Sequence, residues 1–284
     1  MINRRGVSHR RQVRGFTLVE LLIAMAITIL IAGAIAGVAP QARAAFDRVP
    51  ADLELQQRGR TAIDVLSQAL RSAGNNVAAT ESFGALSDLL PTVSVSGEDE
   101  PGVFTELTVI IPVPDPAQAT LDVDQAGPGG AMTLSTTHCP IIKDVCGFTP
   151  KRTAVIADGE GHFDIFSIAA TNVGAHQLTS AKVLSQSYPA GSVLVEADRF
   201  VFSLKEQPDG SHTLVRTTAA GAVQPIVDFV SGLAFDRTGQ TAAAGFFRIE
   251  QVGVWLSVEA PSELLRGIAP DQVFRTSIRL RNVP

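Results

Sequence analysis

Glu20 is the only charged residue between Arg14 and Arg43, and it stands at the mouth of an apolar run that continues to Ala39. An ionised side chain within a bilayer-length helix costs about 3 kcal/mol or more, so an acid kept there points to a function and requires a positive partner. The stretch Arg14-Gly15-Phe16-Thr17-Leu18-Val19-Glu20 fixes the spacing of a glycine, an aromatic and that acid.

The remaining reactive side chains are few. The two cysteines, Cys139 and Cys146, lie close together in a loop-like segment. An oxidising compartment predicts a small-loop disulfide between them, and a reducing one predicts two free thiols. With His138 they fall short of four zinc ligands at a recognisable spacing. Two acidic groups are calcium candidates: Asp122-Val123-Asp124, and Asp158 with Glu160 and Asp164. Neither has the EF-hand pattern, and Asp and Gly are also ordinary turn residues. His9, His138, His162, His176 and His212 form no motif with one another or with a cysteine or serine. Gly127-Pro128-Gly129-Gly130 lacks the lysine of a phosphate cradle. The chain therefore reads as a protein without bond chemistry of its own, and no cofactor is expected.

The charge distribution is uneven. Five of the 23 basic residues (Arg4, Arg5, Arg10, Arg11 and Arg14) lie within residues 1–15, and all 28 acidic residues lie beyond Gly15. The acidic remainder is a poor general binder of nucleic acid, because non-specific affinity comes from neutralising phosphates. Residues 1–15 read as a basic leader and 16–39 as an apolar helix, whose uninterrupted part from Leu21 spans about 28 Å, close to a bilayer core. The positive-inside rule keeps the arginine-rich end cytoplasmic and sends the bulk of the chain across. A cleaved secretory signal is a competing reading, supported by small-residue sites such as Ala42-Arg43-Ala44 but opposed by the length of the run. A plain anchor is another, and it leaves Glu20 unexplained. Gly33 and Gly37 form a G-x-x-x-G pair, a spacing that lets helices approach closely in lipid.

Pro40 and Pro50 are expected to kink or break the helix. Ile63, Leu66, Leu70 and Ala73 then recur at helical spacing with Arg60, Asp64, Gln68 and Arg71 outside the stripe, and Gly74-Asn75-Asn76 supplies a stop. After Asn76 the pattern is that of strands: 103–113, 154–157, 163–168, 192–195, 199–204, 213–217, 226–229, 246–258 and 273–280. In the last of these the arginines alternate with Thr276, Ile278 and Leu280. Gln207-Pro208-Asp209-Gly210 reads as a hairpin turn, and both 98–102 and 114–131 as surface loops. The expected fold class is α+β: a long bent amino-terminal helix, transmembrane and then amphipathic, packed on an antiparallel β-rich head. The expected divisions are 1–15, 16–39, 40–76 and 77–284.

Residues 14–28 resemble the class III signal of type IV pilins and type II secretion pseudopilins. In that family a basic leader ends in glycine, prepilin peptidase cleaves after it, the exposed aromatic is N-methylated, and a glutamate occupies the fifth mature position. Gly15, Phe16 and Glu20 stand at those positions. Residues 57–66 with 70–74, and 274–282, are similar to PilW-type minor pilins, as are 153–168 and Tyr188-Pro189-Ala190-Gly191; the J-type secretion pseudopilin is the competing assignment. Pro40 and Pro50 depart from the helix-bending prolines of major pilins.

The resemblance implies a subunit held in the inner membrane, with a periplasmic head, that joins or primes a pilus or pseudopilus by helix packing. Its partners would be other minor and major pilins or pseudopilins, the peptidase and membrane lipid, with no specific nucleic acid. Glu20 would neutralise the Phe16 amine of a neighbouring subunit, since either charge left unpaired in a low-dielectric bundle is costly. A head acting as tip adhesin or ligand-recognition module is the alternative from the binding class.

Overall fold

A computed structural model describes residues 16–73, 91–113, 116–137, 139, 145–241, 247–260 and 271–280. The leader 1–15, including Gly15, the stop at 74–76 and His138 lie outside the described residues.

A single helix, α1 (Leu18–Ser72, 55 residues), runs through both prolines. The single long amino-terminal helix is as expected, and of the kink or break left open at the prolines no break occurs. Proline removes one backbone donor, but its fixed φ is a helical value, so the flanking Leu-, Ile-, Ala- and Arg-rich segments continue on either side. The contacts divide the chain into Met1–Pro50 and Ala51–Pro284. Within the first unit, residues 16–38 are exposed throughout.

In the second unit, α1 buries Leu55, Gly59, Ala62, Leu66, Ala69 and Leu70, and Ala73 directly after it continues the stripe. Spacings of three and four place these on one face, and Arg60, Asp64, Gln68 and Arg71 on the other are exposed. Ile63 sits half-buried at the margin of that face. A Cβ on Gly59 would lie 2.0 Å from the Phe274 ring, so the helix approaches the sheet here closely enough to require glycine.

The head is built of antiparallel strands: β1 (Val93–Glu100), β2 (Val103–Pro112), β3 (Gln118–Thr120), β4 (Met132–Thr133), β5 (Thr153–Ala157), β6 (Phe163–Asn172), β7 (Gln177–Ser180), β8 (Val193–Glu206), β9 (His212–Thr218), β10 (Val223–Asp228), β11 (Val230–Thr241), β12 (Phe247–Val258) and β13 (Gln272–Arg279). They run in the order β13-β12-β11-β2-β8-β5-β6-β7-β4, with β1 on β2, β3 and β9 on β8, and β10 on β9. Strand β8 holds the assembly together. Its first residues pair with β3 and β5, Ala197–Phe202 with β2, and Phe200–Glu206 with β9.

The two ends of β8 therefore belong to different cores. One joins the α1 stripe to Leu107, Val109, Phe202, Phe235, Val254 and Leu256. The other gathers Met132, Leu134, Phe148, Phe166, Leu178 and Tyr188.

Several expectations are revised. The runs at 192–195 and 199–204 form one strand, and β11 is a strand that is absent from the expected runs. It is a strand because β12 pairs with it from end to end. Residues Glu98–Glu100 close β1 instead of a loop, since an edge strand can leave acidic side chains in water. The loop at 114–131 contains β3, where Gln118 and Ala119 are buried. The turn at Gln207–Gly210 is as expected: Gly210 has φ +79° and its N–H donates to the Gln207 carbonyl. In β13, Val273, Arg275, Ser277 and Arg279 face out and alternate with more buried neighbours.

Candidate functional site

The first turn of α1 places Glu20 in a defined local geometry. The Thr17 N–H and hydroxyl donate to Glu20 Oε2 at 3.0 and 3.1 Å, and the Glu20 N–H donates to Thr17 Oγ1 at 3.3 Å. The Leu21 N–H donates to the Thr17 carbonyl at 3.2 Å. This is a capping box, in which a threonine and a glutamate three residues on satisfy each other's free donors at the helix start. The T-x-x-E spacing of Thr17 and Glu20 before an apolar run carries that signal in the sequence. Both bonds to the carboxylate go to Oε2, and among the described residues Oε1 has no hydrogen-bond partner. One oxygen thus fixes the acid to its own helix while the other can meet an external cation. Phe16, directly before the cap, is 85% exposed.

From there the helix presents apolar side chains on all sides. Leu18–Ala39 is long and apolar enough to cross a membrane, and none of it is buried. A helix apolar all round, without a core of its own to enter, requires lipid or other helices as surroundings. Its one hydroxyl within the run, Thr28, donates to the Ala24 carbonyl at 2.7 Å and so brings no unsatisfied polar group into such surroundings. A Cβ on Gly33 or Gly37 would meet nothing within 4 Å, so both glycines leave their side of the helix open to close approach.

The other expected site residues lie in the head. Cys139 and Cys146 form a disulfide with a Cα–Cα distance of 4.8 Å, against the second core. The acidic group is rearranged relative to expectation: Asp158 and Glu160 gather with His162, all within 4.8 Å, whereas Asp164 is engaged elsewhere. Asp158 Oδ1 accepts from the Glu160 and His162 N–H groups, and Oδ2 lies 2.7 Å from His162 Nδ1. Burial raises the Asp158 carboxyl, but these hydrogen bonds outweigh it and hold the group below the ordinary carboxylate range. Asp164 Oδ2 accepts from the Ser185 N–H and hydroxyl and from the Tyr188 hydroxyl at 3.0 Å. Burial, with the neighbouring Asp164 charge, pushes the Tyr188 phenol above its usual value. Asp164 thus ties the segment 185–188 to β6, and Asp158, whose Oδ2 also accepts from Gln186 Nε2 at 3.2 Å, ties the same segment to the turn 158–162. Three groups including a nitrogen fall short of the six to eight oxygens that calcium takes.

Residues 10–36 match the family model of the prokaryotic N-terminal methylation motif. No curated protein and no solved structure matches the chain. The motif supports a type IV pilin-like or pseudopilin precursor, a structural class, and implies processing by prepilin peptidase and assembly with other pilins. An exposed apolar helix beside that motif fits anchoring in an inner membrane.

Proposed function

We propose that the chain is a minor type IV pilin of the PilW type, a structural subunit that primes or joins pilus assembly through α1. Cleavage after Gly15 frees the amine of Phe16 for methylation, and the subunit waits in the inner membrane with its head in the periplasm. On assembly Leu18–Ala39 passes from lipid to the helix bundle of the filament. Gly33 and Gly37 allow close packing there, and Glu20 Oε1 receives the Phe16 amine of a neighbour. In a low-dielectric bundle, leaving either charge unpaired costs more than any imperfection of the pair, so the pair also sets the axial stagger.

The observation that carries this reading is the motif matched at residues 10–36 overlapping an apolar helical span, Leu18–Ala39, that is unburied. The J-type secretion pseudopilin would use the same helix in the same way. The preference for a PilW-type subunit rests on the similarity of residues 57–74 and 274–282. Isolation of the full-length chain from membranes should bring down other minor pilins of a pilus system. Recovery of secretion pseudopilins alone would assign it to the J type, and recovery of neither would remove the assembly role.

A further inference from the structure

We propose that the head binds one tetrahedral oxyanion of the phosphate class, in a cavity where β5, β6 and β8 meet the turns that follow β7 and β9. The site lies wholly within the head, so it goes beyond the pilin reading and does not depend on it.

The cavity measures about 220 Å³, and its polar lining comes from four segments: Thr153 of β5, Ser167 of β6, Arg199 of β8 and Lys182 of the turn after β7, with Ala181 and Ala219 as walls. Strand pairing brings the first three together. Thr153 stands opposite Ser167, and Val155 stands opposite Val195. Alternation along each strand then puts Arg199 on the face of Val195 and Ala197, and Thr153 on the face of Val155. Val155, Val195 and Ala197 belong to a small apolar core, so this row of the sheet face ends in two hydroxyls and a guanidinium. The fourth group is fixed from the side. The Ala181 N–H donates to the Ser167 carbonyl at 2.8 Å, and Ser180 Oγ accepts from the Lys182 N–H at 3.2 Å while donating to the Lys182 carbonyl at 2.6 Å.

These donors are unspent. Among the described residues the Arg199 side chain is in no ion pair or hydrogen bond, and neither the Thr153 nor the Ser167 hydroxyl has a partner. Lys182 Nζ lies 3.9 Å from Asp164 Oδ1, beyond hydrogen-bond reach, and Asp164 already accepts from Ser185 and Tyr188 through its other oxygen. No acid lines the cavity among the described residues. A recess with charge of one sign and apolar walls concentrates ions of the other sign. Four separate donor groups suit the three or four oxygens of a phosphate better than the two of a carboxylate. The volume is below the roughly 300–1,000 Å³ of sites that engulf a drug-sized ligand, so the cavity admits one such group and leaves outside any larger molecule that carries it.

The test is calorimetric titration of the full-length chain in detergent with inorganic phosphate, at fixed ionic strength. One saturable site per chain is expected. R199Q and K182Q should each weaken binding by about tenfold, and T153V, which keeps the shape of the side chain, by about threefold or more. K205Q removes a charge from the exposed end of β8, outside the cavity, and should leave the affinity within about twofold, because salt screens it. Arg199 and Lys182 are exposed, and melting curves without phosphate report that each variant has folded. Absence of saturable binding, equal weakening by K205Q, or acetate binding as tightly as phosphate overturns the proposal. Glycerol phosphate in the same titration identifies the source. Binding of both ligands assigns an esterified phosphate, binding of phosphate alone assigns the free ion, and each upholds the site.

Discussion

Leu18–Ala39 and Leu55–Leu70 are segments of one helix with opposite surroundings. The first is apolar on every side and exposes its side chains; the second is apolar on one face only and buries that face against a sheet. The difference teaches which part of the chain folds by itself and which requires company. An amphipathic stripe with Arg60, Asp64, Gln68 and Arg71 outside is complete once the sheet covers it. A helix without a polar face is complete only in lipid or among other helices. The two glycine positions repeat the contrast, since Gly59 is filled by Phe274 from the same chain while Gly33 and Gly37 face open space.

The same truncation placed in each half should therefore have unlike consequences. Leu66→Ala removes a fully buried side chain from the first core and should lower head stability by about 3 kcal/mol in denaturant unfolding. Ile27→Ala, 51% exposed in the other half, should change head stability by less than about 0.5 kcal/mol. Equal losses from the two would break the contrast.

Glycine substitutions sharpen it further. In Gly59→Ala the new methyl must displace the Phe274 ring, at a cost of about 1–3 kcal/mol that the better helix propensity of alanine only partly offsets. Gly33→Ala and Gly37→Ala should leave thermal unfolding of the head unchanged and weaken co-isolation with other subunits. A head destabilised by Gly33→Ala would show that this surface is already packed.

A smaller effect, remote from both helix segments, serves as control. Asp158→Asn should lower head stability by about 1 kcal/mol at neutral pH, through its lost charge-assisted hydrogen bonds. The folded carboxyl lies below its unfolded value, so this contribution is present above about pH 4 and disappears as the pH falls through the folded value. The gap between wild type and variant should close on acidification, with co-isolation through α1 unaffected. A gap that widens toward low pH would contradict the assigned hydrogen bonds.

Much of this plan was legible in the residue pattern. The apolar run, the stripe at Leu66, Leu70 and Ala73, and the alternation in β13 follow from local periodicity, which the structure retains. What the sequence hid depends on partners distant in the chain. Strand β11 is absent from the expected runs and forms because β12 lies beside it, and Asp164 looks like a companion of Asp158 until Ser185 and Tyr188 claim it. Pro40 and Pro50 left a kink or a break open, and the helix continues because a proline compatible with helical φ interrupts one hydrogen bond without ending the helix. At the amino-terminal site, Gly15, Phe16 and Glu20 stood out by spacing. Thr17 did not, since its role is a reciprocal bond to the acid already noticed.

That acid offers the most direct test of the assembly account. Full-length Glu20→Ala and Glu20→Gln should enter the membrane and form the Cys139–Cys146 disulfide as the wild type does, because neither step uses the charge. Their recovery in isolated filaments, measured against wild type expressed at the same level, should fall by about tenfold or more, as expected for losing a pair worth several kcal/mol in a low-dielectric bundle. Recovery equal to wild type would contradict the account, because Glu20 would then serve only to cap its own helix.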